Sequence, residues 1–293
     1  MLEPLVLKGR DRYERVSDGV TDNTHADAFT HTVRLGDSDR EIEVSVVATP
    51  SPDYVIREAC ARALGGDVDA AVIVGVQTLA GAPMVGGFTR AVADAVGRGP
   101  GSALVVDAMI EVARLARQVT KLPRESAERA LSGDPLDCWL LDTSGWIDLP
   151  DSCFAYSDAG RALFGTRTIA TPMQPDLYSP RPGQTRVFVR RKVARVERVD
   201  RALRLFHSMH DNVHGFDVTY EIDAATSRIT RADSVTSRLP YAGICSEPQA
   251  KIKNLLGETV DAGLRKRVPV HVGGIGGCAQ LYDLTADLLK LLA

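Results

Sequence analysis

Hydrophobic and polar residues alternate in two adjoining runs near the start of the chain. The first run has its less polar positions at Phe29, His31, Val33 and Leu35, and the second has them at Ile42, Val44 and Val46. A period of two is typical of strands with one buried face, and the turn residues between the runs predict a β-hairpin. The same pattern returns in the second half and predicts another hairpin, at Phe216, Val218, Tyr220, Ile222 and Ile229.

Helical periodicity appears in other segments. One stripe from Leu104 to Val119 follows Ser102, which we place as an N-cap, and Met84 to Val96 has a similar pattern. We also expect a helix from Tyr54 to about Leu64, a helix after Cys245, and a final helix opened by Cys278. The apolar run Val68–Leu79 fits either a strand or a buried helix.

The two halves share a spaced set of identities, which predicts an internal duplication. Subtracting 187 places Phe216 on Phe29 and Tyr241 on Tyr54, and Asp211-Asn212-Val213-His214 resembles Asp22-Asn23-Thr24-His25. Subtracting 176 gives eight identities in 27 ungapped positions, where about two are expected by chance. We therefore predict an α+β pseudo-dimer in which each repeat is an antiparallel sheet with helices packed on one face.

The predicted organisation has three parts. Residues 1–120 form the first repeat and residues 185–293 the second. Residues 121–184 contain seven prolines and both tryptophans, with little sustained periodicity. We interpret this segment as a connector or lid, because a loop of that length within a compact domain usually has such a role.

Composition narrows the class of protein. The net charge of −3 argues against a dedicated nucleic-acid binder, although residues 181–204 contain nine basic residues and two acidic ones. No signal peptide or membrane-spanning run is evident. Five irregularly spaced cysteines indicate a reducing cytoplasm. We expect a small-molecule substrate, no nucleic-acid or membrane partner, and no organic cofactor, and a homodimer remains open.

The strongest acid–base candidates are the two Asp-Asn-x-His segments. Histidine is the usual acid–base side chain at physiological pH, so His25 and His214 are the candidates, and Asp22 and Asp211 are placed to orient them. The same segments are also good turn and cap sequences. We predict chemistry because the motif occurs in both halves.

Cys245 and Cys278 are the candidate thiols, because each stands at a predicted helix start, where the dipole favours the thiolate. The alternative is that they are small buried residues that do not react. Further predicted substrate-binding residues are Tyr54, Tyr241, Arg190, Gly276 and Gly277. The glycines precede a helix and would present N–H groups to an anion, or would form only a tight turn. We predict no metal site, and the alternative is a metal bound by His207, His210 or His214 together with Cys245 or Cys278.

The second half resembles a bacterial family of uncharacterised domains. That family has Pro-Tyr-x-x-Cys followed by Gly-Cys-Thr-His-Leu, and here the segments read Pro240-Tyr241-Ala242-Gly243-Ile244-Cys245 and Gly277-Cys278-Ala279-Gln280-Leu281. Gln280 replaces the family's histidine, and the first cysteine lies one residue later. The order of elements is also similar to that of iron–sulfur cluster scaffold proteins, which implies an α+β sheet with helices on one face.

Three functions follow as hypotheses. The leading one is a lyase, isomerase or hydrolase that uses acid–base chemistry on a small organic acid or carbonyl compound. The alternative is a non-catalytic iron–sulfur or metal-handling scaffold with Cys245, Cys278 and a histidine. The third is a purely structural or regulatory pseudo-dimer.

Overall fold

Eight strands form one antiparallel sheet in the computed structural model, which describes residues 2–292. The strands are β1 (Arg12–Asp22), β2 (Phe29–Asp37), β3 (Glu41–Ala48), β4 (Ile56–Gly65), β5 (Phe188–Val199), β6 (Ala202–Asp211), β7 (Gly215–Asp223) and β8 (Ile229–Arg238). Their order across the sheet is β4-β3-β2-β1-β5-β6-β7-β8. Each half of the chain is therefore a four-stranded meander, and β1 pairs with β5 at the centre.

Helices follow each meander and also occupy the segment between the two. The α-helices are α1 (Ala70–Gly75), α2 (Phe88–Val96), α3 (Ser102–Ala116), α4 (Arg124–Ala127), α5 (Pro135–Gly145), α6 (Asp158–Arg161), α7 (Pro175–Tyr178), α8 (Leu264–Val272) and α9 (Ala279–Lys290). Short 3₁₀-helices span Leu5–Leu7, Val76–Leu79, Glu128–Ser132, Phe154–Tyr156, Ala162–Gly165 and Glu247–Leu255. The predicted α+β class is confirmed.

Helices α3 and α9 pack on the sheet, and alternation along the strands creates the surface that they cover. In β3, Ile42, Val44 and Val46 are buried, while the residues between them are half-buried. α3 contacts β1, β2 and β3, and α9 contacts β6 and β7. Gly19 lets α3 approach β1 closely, since a Cβ there would lie 2.8 Å from Leu115 Cδ1.

The two packing helices run antiparallel and are joined by ion pairs. Arg114 of α3 lies 2.6 Å from Asp287 of α9, and Lys290 lies 3.0 Å from Asp107 near the other end of α3. Lys192 reaches from the central strand β5 to Glu111 at 2.6 Å and to Asp287 at 2.8 Å. These pairs are largely buried and link elements from both halves of the chain.

Several local predictions are confirmed. Both hairpins are present as β2–β3 and β7–β8, and the predicted stripe forms α3. Cys278 is the N-cap of α9, where its sulfur accepts a hydrogen bond from the Leu281 N–H. The ambiguous run Val68–Leu79 is helical over most of its length.

Other local predictions are wrong. The segment after Tyr54 forms strand β4 instead of a helix, because pairing with β3 overrides the helix-favouring alanines of this edge segment. No element was predicted for the polar segment Tyr13–Asp22, which lies within the central strand β1, where Asp18 and Arg191 pair on the outer face. The alternating pattern over residues 185–199 predicts two strands, whereas the structure has one strand there, β5. Gly101, with φ 86°, is the N-cap of α3 in place of Ser102.

The topology also bears on the proposed duplication. An offset of 187 places β2 on β7 and β3 on β8, whereas the symmetric strand order would relate β2 to β6 and β3 to β7. The two Asp-Asn-x-His turns follow β1 and β6, which are not equivalent positions in that order. The match at an offset of 187 residues therefore does not relate equivalent strands. An internal duplication of the chain remains a prediction.

None of the helices within residues 2–292 combines the length and the apolar character needed to cross a bilayer.

Candidate functional site

His214 is fixed by the turn between β6 and β7. The Oδ1 atom of Asp211 accepts the backbone N–H groups of Val213 at 2.7 Å and His214 at 2.5 Å, and it lies 3.1 Å from His214 Nδ1. The same carboxylate therefore shapes the turn and orients the imidazole. Because Nδ1 is engaged with Asp211, Nε2 is the ring nitrogen left for chemistry.

Arg190 completes this arrangement from β5. Its Nε donates to Asp211 Oδ2 at 2.8 Å, and its Nη2 lies 2.7 Å from the same oxygen without suitable hydrogen-bond geometry. Burial alone would raise the pKa of Asp211, but the neighbouring His214 and Arg190 outweigh it and hold that pKa well below its usual range. Arg190 is thus an orienting partner of Asp211, and its predicted role in binding substrate is not supported by its position.

A second acid lies in α5, within the connector. Asp142 is buried, and its Oδ1 accepts the Tyr178 hydroxyl at 2.7 Å. Its Oδ2 accepts the hydroxyls of Tyr156, at 2.7 Å, and Tyr241. Burial raises the pKa of Asp142 to about 6, against the opposing effect of the tyrosine hydrogen bonds and of His214. This carboxyl group therefore titrates close to neutral pH.

Asp142 and His214 line the same cavity, whose volume is about 110 Å³. Its walls come from the end of α3, α5 and the following loop, the segment before α7, the β6–β7 turn, the start of β7, the segment after β8 and the start of α9. Most of the lining is apolar, and its side chains include Trp146, Leu149, Ala155, Met173, Val213, Phe216, Leu239, Pro240 and Ala279. An apolar cleft with a few convergent polar groups is the usual form of a small-molecule site.

Three thiols share that cavity. Cys153 comes from the connector, Cys245 from the segment after β8, and Cys278 from the start of α9. Burial raises the pKa of Cys245 well above its usual range and that of Cys278 to about 11. The predicted dipole-driven thiolate is therefore wrong for both, because desolvation exceeds the effect of the helix start.

The remaining predicted site residues lie elsewhere. His25 is exposed, and its carbonyl accepts from Lys121 Nζ at 2.8 Å. Asp22 accepts the Arg186 N–H at 2.6 Å, just before β5. Tyr54 is buried and donates to Asp148 at 3.0 Å. None of these three residues lines the cavity.

The glycine run sets the start of α9. A Cβ on Gly277 would lie 2.2 Å from the Gly273 carbonyl oxygen, while one on Gly276 would meet only Lys251 Nζ at 3.1 Å. The Gly277 carbonyl accepts the Phe154 N–H at 2.9 Å, which ties the connector to α9. The contacts of Gly277 thus match the tight-turn alternative. Tyr241 is close to the site through its bond to Asp142.

Sequence reasoning missed Asp142, Tyr156, Tyr178 and Cys153. All four lie in the segment interpreted as a connector, where short helices replace sustained periodicity. A usable signal was Asp134-Pro135, a cap and first-turn pair that starts α5. It predicts a helix there, but it does not predict that the helix delivers a carboxyl group to the second half.

Within residues 2–292, no three His, Cys, Asp or Glu side chains converge closely enough to hold a metal ion. The position of His207 does not suit a metal ligand either. Its Nδ1 lies 3.0 Å from the Leu284 carbonyl oxygen, and burial lowers the pKa of its side chain to about 4.

Comparison with known proteins gives one match. Residues 175–292 match the family model described as a protein of unknown function, DUF2889. No curated protein and no solved structure matches the chain. The matched segment carries Arg190, Asp211 and His214, together with Cys245 and Cys278. Asp142 and its partner Tyr156 lie before it, so the cavity combines matched and unmatched parts of the chain.

Proposed function

We propose that the protein is an enzyme that acts on a small organic acid or carbonyl compound by acid–base chemistry. The observation that carries this proposal is the pairing of His214 and Asp142 on the wall of one cavity. Their environments differ, since His214 is oriented by an ionised carboxylate and Asp142 is a buried acid. Two titratable groups held in contrasting environments are the usual basis for separate acid and base roles.

In this mechanism His214 is the general base. Its Nε2 accepts a proton from the substrate or from a water molecule, and Asp211 stabilises the imidazolium that results. Asp142 in its protonated form donates a proton to the developing oxyanion or to the leaving group. Tyr156, Tyr178 and Tyr241 hold that carboxyl group in place.

The test follows both proton abstraction and hydrolysis. Oxo acids, ketones, esters and lactones are incubated with the protein in D₂O, and NMR records α-deuteration and cleavage. His214→Gln and Asp142→Asn should each lower the rate of the active compound by roughly 10²–10⁴-fold. His25→Gln is the matched control and should leave the rate unchanged. No reaction with any compound class, or an unchanged rate in His214→Gln, would refute the proposal.

The metal-handling alternative would require Cys245, Cys278 and a histidine to converge. Stoichiometric iron in anaerobically purified protein would establish it in place of the enzyme. We retain the cytoplasm as the proposed compartment on the basis of cysteine spacing.

We also propose that the two meanders descend from one ancestral unit. The symmetric strand order about β1 and β5 and the antiparallel pair α3 and α9 support this idea. The prediction fails if β1–β4 with α3 does not superpose on β5–β8 with α9.

A further inference from the structure

The charges around the cavity narrow the substrate class. The lining contains one arginine or lysine, Arg117, within the described part of the chain. Its Nε lies 2.6 Å from Asp148, and its Nη1 and Nη2 donate to the carbonyls of Ala113 at 2.9 Å and Met84 at 2.7 Å. All three nitrogens of this guanidinium are therefore engaged with the protein. It is not available as a free counter-ion for a substrate carboxylate.

The other charged groups have the wrong sign or are already compensated. Asp142 is an acid and repels an anion when it is ionised. Arg190 is paired with Asp211, and His214 is a neutral imidazole when it acts as the general base, so neither supplies an unpaired cation. An anionic group that entered this cavity would lose its hydration without gaining an unpaired cation, which is unfavourable.

The polar groups suit a neutral oxygen instead. Trp146 lines the cavity, and its Nε1 is buried without an acceptor within residues 2–292. Asp142 donates a hydrogen bond when it is protonated. A carbonyl oxygen accepts from such donors, while the apolar walls at Leu149, Met173 and Phe216 suit a hydrocarbon body.

We infer that the substrate is a neutral carbonyl compound with an apolar body, such as a ketone, ester or lactone, and that a free carboxylate does not enter the cavity. This inference rests on the proposed function for the identity of the site, and it narrows the substrate from organic acids and carbonyl compounds to the latter alone.

The experiment compares three ring probes of similar size at pH 5.5, where Asp142 is mostly protonated because burial raises its pKa to about 6. Cyclohexanone, cyclohexanecarboxylate and cyclohexanol are titrated into the full chain, and ligand-observed NMR gives each Kd. Because the site offers no unpaired cation to an ionised carboxylate, cyclohexanone should bind at least about tenfold more tightly than the carboxylate. Cyclohexanol is the uncharged control and should likewise bind more tightly than the carboxylate. Binding of the carboxylate as tight as or tighter than that of cyclohexanone, or no binding of cyclohexanone, would overturn the inference.

A cavity-filling variant locates the binding. Ala279 lines the cavity in the first turn of α9, and Ala286 lies on the same helix outside the lining. Ala279→Leu should weaken cyclohexanone binding by about tenfold or more, because the added side chain occupies the space that the ring needs. Ala286→Leu should leave the Kd unchanged. Circular dichroism confirms that both variants are folded, and equal binding by Ala279→Leu would contradict the assigned cavity.

The two proposals fail in different ways. Selective binding of cyclohexanone without any reaction that depends on His214 would refute the proposed function and support the inference. Turnover of an organic acid that depends on His214, together with tight binding of the carboxylate, would support the proposed function and refute the inference.

Discussion

Lys192 of β5 lies 2.6 Å from Glu111 of α3, and both side chains are almost fully buried. Lys192 also contacts Asp287 of α9, so one ammonium group joins the central strand to both packing helices. Burial alone would raise the pKa of Glu111, but Lys192 and Arg114 hold it at about 2. The centre of the fold therefore depends on charge balance as well as on apolar packing.

Replacement of Lys192 by methionine should leave two buried carboxylates short of a counter-ion. We expect the free energy of unfolding to fall by about 3–5 kcal/mol, as for a buried ion pair that loses one partner. Since the folded pKa of Glu111 is depressed, wild-type stability from this pair is present above about pH 4.3 and lost as the pH falls toward 2. Urea titrations across that pH range should show that the free energy of unfolding of Lys192→Met falls less on acidification than that of the wild type. An equal fall in both proteins would contradict the pairing of Lys192 with Glu111.

Asp211 and Asp22 occupy similar motifs with unlike burial, so they form a matched pair. Asp211→Asn should destabilise the protein by about 3 kcal/mol, because it leaves the buried Arg190 without a counter-ion. Asp22→Asn retains an oxygen that can accept the Arg186 N–H and should change stability little. Chemical denaturation measures both, and equal losses would show that the two turns are energetically alike.

Asp142 should give the protein a stability component with the opposite pH dependence. Its folded pKa of about 6 lies above the unfolded value of about 3.9, so the component is present below pH 4 and is lost as the pH rises through 6. The shift corresponds to up to about 3 kcal/mol. Asp142→Asn should lack this component in urea titrations at pH 4 and pH 7. Asp137→Asn, on the same helix, should retain it.

The start of α9 provides a test of backbone packing. Gly277→Ala should destabilise the protein by about 1–3 kcal/mol, because the new methyl group would overlap the carbonyls of Val272 and Gly273. Gly276→Ala meets only the flexible end of Lys251 and should be nearly neutral. Thermal unfolding of both variants distinguishes a tight turn from a pair of interchangeable glycines.

The cavity thiols should react slowly. With a pKa of about 11, roughly one Cys278 side chain in a thousand is a thiolate at pH 8. Cys60 is exposed on β4 and should be alkylated by iodoacetamide well before Cys245 or Cys278 in the folded protein. Mass spectrometry of digested samples over time measures the order, and early modification of Cys278 would contradict the raised pKa of its thiol.

Local patterns predicted the elements that combine strong periodicity with burial on one face. The hairpins β2–β3 and β7–β8 and the helix α3 are of this kind. β4 was missed because its alanines favour a helix, whereas its conformation depends on pairing with β3, which is a tertiary contact. β1 was missed because outward charges such as Asp18 are paired with Arg191 of β5, and that partner is remote in sequence.

The site was predicted only in part, for a similar reason. His214, Asp211 and Cys278 were recognisable because each belongs to a compact local motif. Asp142 belongs to a helix with no distinctive motif, and its role depends on three tyrosines from separate segments. A functional group assembled by long-range folding leaves no local pattern in the sequence.

The border of the family match has a consequence for homologues. A relative that kept only the segment equivalent to residues 175–292 would inherit the imidazole and two of the thiols, but neither the acid of α5 nor the covering that α5 and its following loop provide. In such a relative the pocket would stand open on that side unless another chain or an unrelated insertion closed it. Chemistry could therefore differ among proteins that share this module, according to what each has placed over it.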